Sequence, residues 1–387
     1  MNLELHPPVV DSAALAPLDI DRFWADQERA MADPFGRDIP QVPLGLWRMN
    51  RECVFAELGV EEDYWRLETD EAWRGALARA YNDRAERIIG RRPLNERPSD
   101  PSRAWPRTKT LADVFEAKNV WSSNSWWLME SAHTEAELAR LLDRVESRIE
   151  NMRAFLLPDN WDEEKARLTA LGLKVPLYRF QRGPVTFATS VYGIENLLFL
   201  LMGNPDLGAR FRDAILNAML AIGRVMDEEA GLTPETAPHG FQFNDDNCYT
   251  LSPDLYEFFG YPILKGVFDR YSPNPGDRRA QHSDSAMSHL LPILGRLGLT
   301  WTNFGPTVTV AEIREHLPRA VIHGQLAPFT FMRNDAAGIV REFRRDFAMA
   351  RERRGLVFDT AGSINNGSSL ASLRLIMSTI QREGRYD

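Results

Sequence analysis

The sequence is poor in cysteine: its 387 residues hold only Cys53 and Cys248, far apart in the chain. Two distant thiols form no disulfide framework, and no Cys-x-x-Cys spacing offers a structural zinc site, so a reducing, cytoplasmic setting is expected. Long apolar runs are missing as well. The longest, residues 197–202, is far too short to span a bilayer, so no membrane partner is expected. The N-terminus carries Glu4 and Asp11 and lacks the basic-then-apolar pattern of a signal peptide. There is no basic surplus either. Fifty-five acids against 46 Lys and Arg give a formal net charge of -9, which argues against nucleic acid, since phosphate binding needs a basic face.

What is present is apolar content of 44%, enough for a large core over this length. One large α/β domain with an N-terminal elaboration, or two domains, fits that size. Residues 1–40 are rich in Pro, Asp and Ala, with one short amphipathic stretch at 20–31, and read as an arm packed on the body or on a second subunit. Residues 41–387 form the body. It opens with a strand, Val42-Pro-Leu-Gly-Leu-Trp47, and a helix follows over 70–89. The region 105–128 is expected to hold a strand, and its Trp121, Trp126 and Trp127 either pack on the body or wall a substrate pocket.

Beyond Leu173 strand-like runs alternate with helical ones. Strands are expected near 186–190, 239–243, 279–282, 299–304, 319–324 and 355–360, with helices between. Alternation of this kind predicts a parallel sheet with helices outside, and about eight units fit the chain, the number of a (β/α)8 TIM barrel. In that fold the chemistry sits after the strands. Those ends carry Arg48 and Arg51, Ser190 and Tyr192, Asp245 and Asp246, His282 and Asp284, Asn303, His323 and Gln325, and residues 363–366.

The segment His282-Ser-Asp-Ser285 stands out. Alternate residues of a strand share a face, so His282 and Asp284 read as a two-ligand grip on a metal ion or as an oriented acid/base pair. A rim hydrogen bond without metal is the plainer role. Adjacent Asp245 and Asp246 cannot both face inward from a regular strand; Asp246 is taken as the inward one and Asp245 as a cap or anchor. Arg48 and Arg51 are candidates to clamp a substrate carboxylate, against an ordinary salt-bridge role. Cys248 reads as a small buried residue, and His133, His239, His289 and His316 as structural.

The stretches Gly183-Pro-Val-Thr-Phe-Ala-Thr-Ser190, Glu195-Asn-Leu-Leu198, Asn204-Pro-Asp-Leu207, residues 244–256, His282-Ser-Asp-Ser285, Leu291-Pro292 and Gly324-Gln-Leu-Ala-Pro328 occur in a telling order. Together they resemble the uroporphyrinogen decarboxylase superfamily, with fainter likeness at residues 43–47 and at Glu57-Leu-Gly59. That resemblance implies a TIM barrel with an N-terminal helical extension, often dimeric, and two activities. The decarboxylase branch has an arginine pair after the first strand, where Arg48 and Arg51 stand one residue too close, and a histidine where this chain has Ser363. Its tyrosine would fall near Ser190, with Tyr192 as a substitute. The methyltransferase branch binds zinc through His-x-Cys and a second Cys in the final loop; here those positions are His282, Asp284 and Ser363.

The resemblance therefore implies metal-assisted methyl transfer from a small substrate to a corrinoid protein or related acceptor. His282, Asp284 and Asp246 would hold a divalent metal, zinc first. Arg48, Arg51, Tyr192, Trp126, His323 and Asn365 are candidates to bind substrate. A decarboxylase or other lyase acting on a tetrapyrrole or small carboxylic acid is the alternative, and a non-catalytic tetrapyrrole- or corrinoid-binding barrel the third.

Overall fold

A computed structural model describes residues 15–46 and 49–386. Residues 1–14 of the expected arm, and Arg48, lie outside the described residues. The chain divides into two compact units, Ser99–His282 with His289–Thr300, and Met1–Pro98 with Ser283–Ser288 and Trp301–Asp387.

The first of these contains strands β1 (Lys118–Ser122) and β2 (Ser125–Met129), an antiparallel hairpin pairing Val120 with Trp127 and Trp121 with Trp126. The strand expected over 105–128 is thus not a parallel one. Ser123 and Asn124 both take positive φ, 50° and 62°, the turn that sends a strand straight back on itself. Strands β3 (Phe180–Arg182), β4 (Phe241–Asn244) and β5 (Arg279–Ser283) follow, parallel and neighbouring in chain order.

The strand expected at 186–190 is instead the helix Pro184–Tyr192. Its β-branched and aromatic residues suggested a strand, but Pro184 at the first helical position starts a helix, its missing N–H costing nothing there. The strand lies just before it. Helices Ile194–Gly203 and Pro205–Glu229 complete the crossover to β4, and Pro253–Phe258 with Gly260–Tyr271 makes the one to β5. On β4, Phe241 and Phe243 are buried against Tyr271 and Phe268 of that last helix, while the alternate Gln242 and Asn244 are half-buried.

In the second unit, β6 (Trp301–Phe304), β7 (Val321–Leu326) and β8 (Leu356–Thr360) are again parallel and in chain order. Leu44 bridges Phe358 in parallel, the structured remnant of the strand expected at residues 42–47. The amphipathic helix read at 20–31 runs Ile20–Ala32, capped by Asp19. Among the described residues no single helix is long and apolar enough to cross a membrane.

One buried ion pair fastens three helices of this unit. Glu57, in the helix Val54–Leu58, receives Arg84 Nε from the helix Glu71–Ile89 and the first N–H of the helix Leu370–Glu383 at 2.9 Å. With both side chains shielded from water, Glu57→Gln strands a guanidinium; denaturant unfolding should show a loss of about 3 kcal/mol. A loss below about 1 kcal/mol would mean the pair is no more than a surface bridge.

Candidate metal centre at the ends of β4 and β5

The register of the first unit places three side chains in one row. Arg182 on β3 is level with Asn244 on β4, and Asn244 with His282 on β5. Level residues on parallel neighbours share a face, and each strand is about 4.8 Å from the next. This face is polar: Gln242 Nε2 donates to Asn244 Oδ1 at 3.3 Å, and Arg278 Nη2 to Gln242 Oε1 at 2.9 Å.

Two residues past Asn244, Asp246 turns toward the row, its Oδ1 3.8 Å from His282 Nε2. Asp284 follows two residues after His282. Asp246, His282 and Asp284 each offer one ligand atom, and those atoms lie within 4.8 Å of one another. His282 is half-buried and Asp284 exposed.

The loop that carries Asp246 is sewn to the helix Pro184–Tyr192. Asp245, fully buried, accepts the Thr186 N–H at 2.8 Å, so it caps the helix that precedes it in the chain rather than the one that follows. Its own N–H donates to the His282 carbonyl at 2.9 Å. Asn247 adds two bonds of 2.8 Å, from its N–H to Thr186 Oγ1 and from Nδ2 to Thr189 Oγ1. Gly183 is required beneath this arrangement, because a Cβ there would overlap the Asp245 side chain. Asp284 is seated by glycines too. A Cβ on Gly362, whose φ is +116°, would overlap Asp284 Oδ1, and one on Gly305 would overlap the Asp284 carbonyl.

A family model for uroporphyrinogen decarboxylase matches residues 164–383, more than half of the chain. The chain belongs to the uroporphyrinogen decarboxylase family. Its fold class is accordingly α/β, a (β/α)8 TIM barrel with an N-terminal helical extension. A methyltransferase from Methanosarcina mazei superposes with a TM-score of 0.54 at 15% identity, covering 92% of this chain and 97% of that one. At that identity the likeness speaks for the fold. Among curated protein sequences none matches.

Against the family pattern, the remaining candidates are placed as follows. Arg51 is already engaged: its Nη2 contacts Glu68 and its Nε contacts Glu52. Arg48 is outside the described residues. Tyr192 is buried in the helix layer with its ring on Phe211, so it packs rather than faces the row. Trp126 is exposed on the hairpin, edge-on to Trp121. His323 lies 3.3 Å from Asp359 Oδ2 through Nδ1, its ring against Trp301, and both members of the pair line a cavity of about 490 Å³ in their own unit. Asn365 accepts Cys53 Sγ at 3.4 Å on its carbonyl. Cys248 is buried and belongs to no ligand group. Sequence reading passed over Arg182, although an arginine immediately before Gly-Pro at a strand end was a visible signal.

Burial raises the Asp245 carboxyl to about 6, and its second oxygen has no partner, which suits the protonated acid. A group held more firmly protonated in the folded chain contributes stability that is complete below about pH 4 and lost as pH rises through about 6. Asp245→Asn keeps an acceptor for Thr186 and removes the titration. Denaturant midpoints between pH 4.5 and 7 should fall less steeply in the variant; parallel slopes would refute the assignment.

Proposed function

We propose that the chain is a metal-assisted methyltransferase, a demethylase that moves a methyl group from a small substrate to a corrinoid protein or related acceptor. The observation that carries this reading is the convergence of Asp246, His282 and Asp284 in a barrel of this family. One imidazole and two carboxylates suit a divalent cation, Zn²⁺ first and Fe²⁺ or Mn²⁺ next, and form a harder donor set than histidine with thiolates. Bound there, the cation would supply Lewis acidity at the leaving oxygen or sulfur.

The chain's own residues do the rest. Asp246 and Asp284 bring two negative charges to balance such a cation, while the Asp245 cap and Gly362 fix where those charges sit. In the transfer, the bond from the substrate heteroatom to the methyl carbon breaks, its electron pair staying on the heteroatom, and the acceptor's electron pair forms the new bond to carbon. A donor set rich in oxygen favours an ether, ester or hydroxyl oxygen as the leaving atom. The lyase reading is weaker, because it asks for an arginine pair after the first strand and Arg51 is occupied by Glu68 and Glu52. A cytoplasmic setting with a corrinoid-carrying partner, and a homodimer, complete the proposal; the two free, buried cysteines accord with a reducing compartment.

The purified chain should hold one zinc per molecule after dialysis, read by elemental analysis, and His282→Ala should hold less than a tenth of that. A wild-type chain that retains none would end the proposal. Gly362→Ala, which pushes Asp284 aside, should weaken zinc binding at least tenfold in a competition titration while leaving the unfolding transition cooperative. With metal in place, methylated small molecules should methylate free cob(I)alamin, followed by its visible spectrum.

A further inference from the structure

Arg182 is the unexplained charge of this site. It is half-buried at the end of β3, level with Asn244 and His282. Four other shielded arginines are answered by carbonyls or carboxylates of the protein. Arg314 donates to the carbonyls of Leu317, Pro318, Ala320, Arg354 and Gly355, and Arg279 to those of Ser272 and Leu297. Arg84 has Glu57, and Arg179 has Asp227.

Arg182 by contrast makes one bond, from Nη1 to Ser190 Oγ at 3.0 Å, and among the described residues no carboxylate comes within ion-pair distance of it. Ser190 in turn donates to the Thr186 carbonyl at 2.7 Å, which leaves its lone pairs to hold the guanidinium in place. Burial lowers the Arg182 pKa and the more distant charge of Asp246 only partly offsets that, so the guanidinium is partly stripped of water without closing an ion pair. A fixed guanidinium with most of its five donors uncommitted matches a planar anion with two oxygens.

We infer that Arg182 holds a carboxylate of the substrate, and that the substrate is a small carboxylic acid whose reacting end lies at His282. This rests on the function proposed above and narrows its substrate class. The row sets the size: two strand spacings put the Cα atoms of Arg182 and His282 on the order of 10 Å apart, a gap that their own side chains partly fill, leaving room for a molecule of few heavy atoms. The charges set the order of binding. Asp246 and Asp284 against Arg182 leave the site one unit negative, and a divalent cation turns it one unit positive. A monoanion is therefore held well only after the cation.

The test is a titration of the full chain with acetate, after loading with Co²⁺ so that the visible bands of the ion report the anion. Acetate should saturate the wild type, acetamide should not, and the metal-free chain should bind acetate at least tenfold more weakly by calorimetry. Arg182→Gln should take up Co²⁺ in the same stoichiometry and lose at least tenfold in acetate affinity. Arg182→Lys should recover part of that loss. Ser190→Ala, which frees the guanidinium without removing it, should lose a few-fold, and it stands in should the glutamine variant fail to fold. Equal acetate affinity in wild type, Arg182→Gln and Ser190→Ala overturns the inference while leaving the metal reading intact. A wild type that takes up no Co²⁺ overturns the metal reading instead. Calorimetry on that metal-free chain then decides the inference, upheld by Arg182-dependent acetate binding and overturned by binding that is absent or indifferent to Arg182.

Discussion

The acceptance of the Thr186 N–H by buried Asp245 is the contact on which the site's geometry hangs. A helix leaves its first N–H groups without partners, and a buried one must be answered from elsewhere. Here the answer comes from 59 residues further on, across a close approach that only Gly183 permits. The consequence is mechanical. Asp245 is held at the helix start, and the next residue, Asp246, has its Oδ1 3.8 Å from His282 Nε2. That hydrogen bond, with the two made by Asn247, anchors the segment that carries Asp246.

The same logic explains why the acids of this site are not equivalent. Asp245 is fully buried with one oxygen unanswered, and burial raises its carboxyl to about 6. Asp246 is half-buried and Asp284 exposed, and both lie beside the His282 imidazole. Burial separates the capping acid Asp245 from the candidate ligands Asp246 and Asp284, and no difference in residue type marks the division.

How far the sequence disclosed this follows from which forces are local. β5 with His282 and Asp284, the helix Glu71–Ile89 and the strands at 301–304 and 356–360 were readable, because alternation and caps act over a few residues. The helix Pro184–Tyr192 was misread, since Val185, Thr186, Phe187 and Thr189 favour strands, and a carboxylate distant in sequence settles the matter. The turn at Ser123 and Asn124 was missed for want of a glycine to flag its positive φ. Arg51 looked available only because Glu68 is seventeen positions away, and Arg182 drew no attention because nothing in its vicinity along the chain hints that it lacks a counter-ion.

The departures from the family's thiolate pattern also become one rearrangement rather than several losses. Where related methyltransferases are expected to draw a thiolate from the final loop, this chain has Ser363, exposed, in a loop tied down elsewhere: Asn50 Nδ2 donates to the Ile364 carbonyl and Cys53 Sγ to that of Asn365, while Asn366 Oδ1 accepts the Ala56 N–H. What it contributes is Gly362, whose missing side chain leaves the space that the Asp284 carboxylate occupies. The third candidate donor, Asp246, stands just past the end of β4. Two carboxylates in place of two thiolates would bring the same charge to a divalent ion while making the donors harder. Under the proposed function, such donors would favour oxygen over a soft sulfur, which is the physical reason to look for an oxygen-linked methyl group.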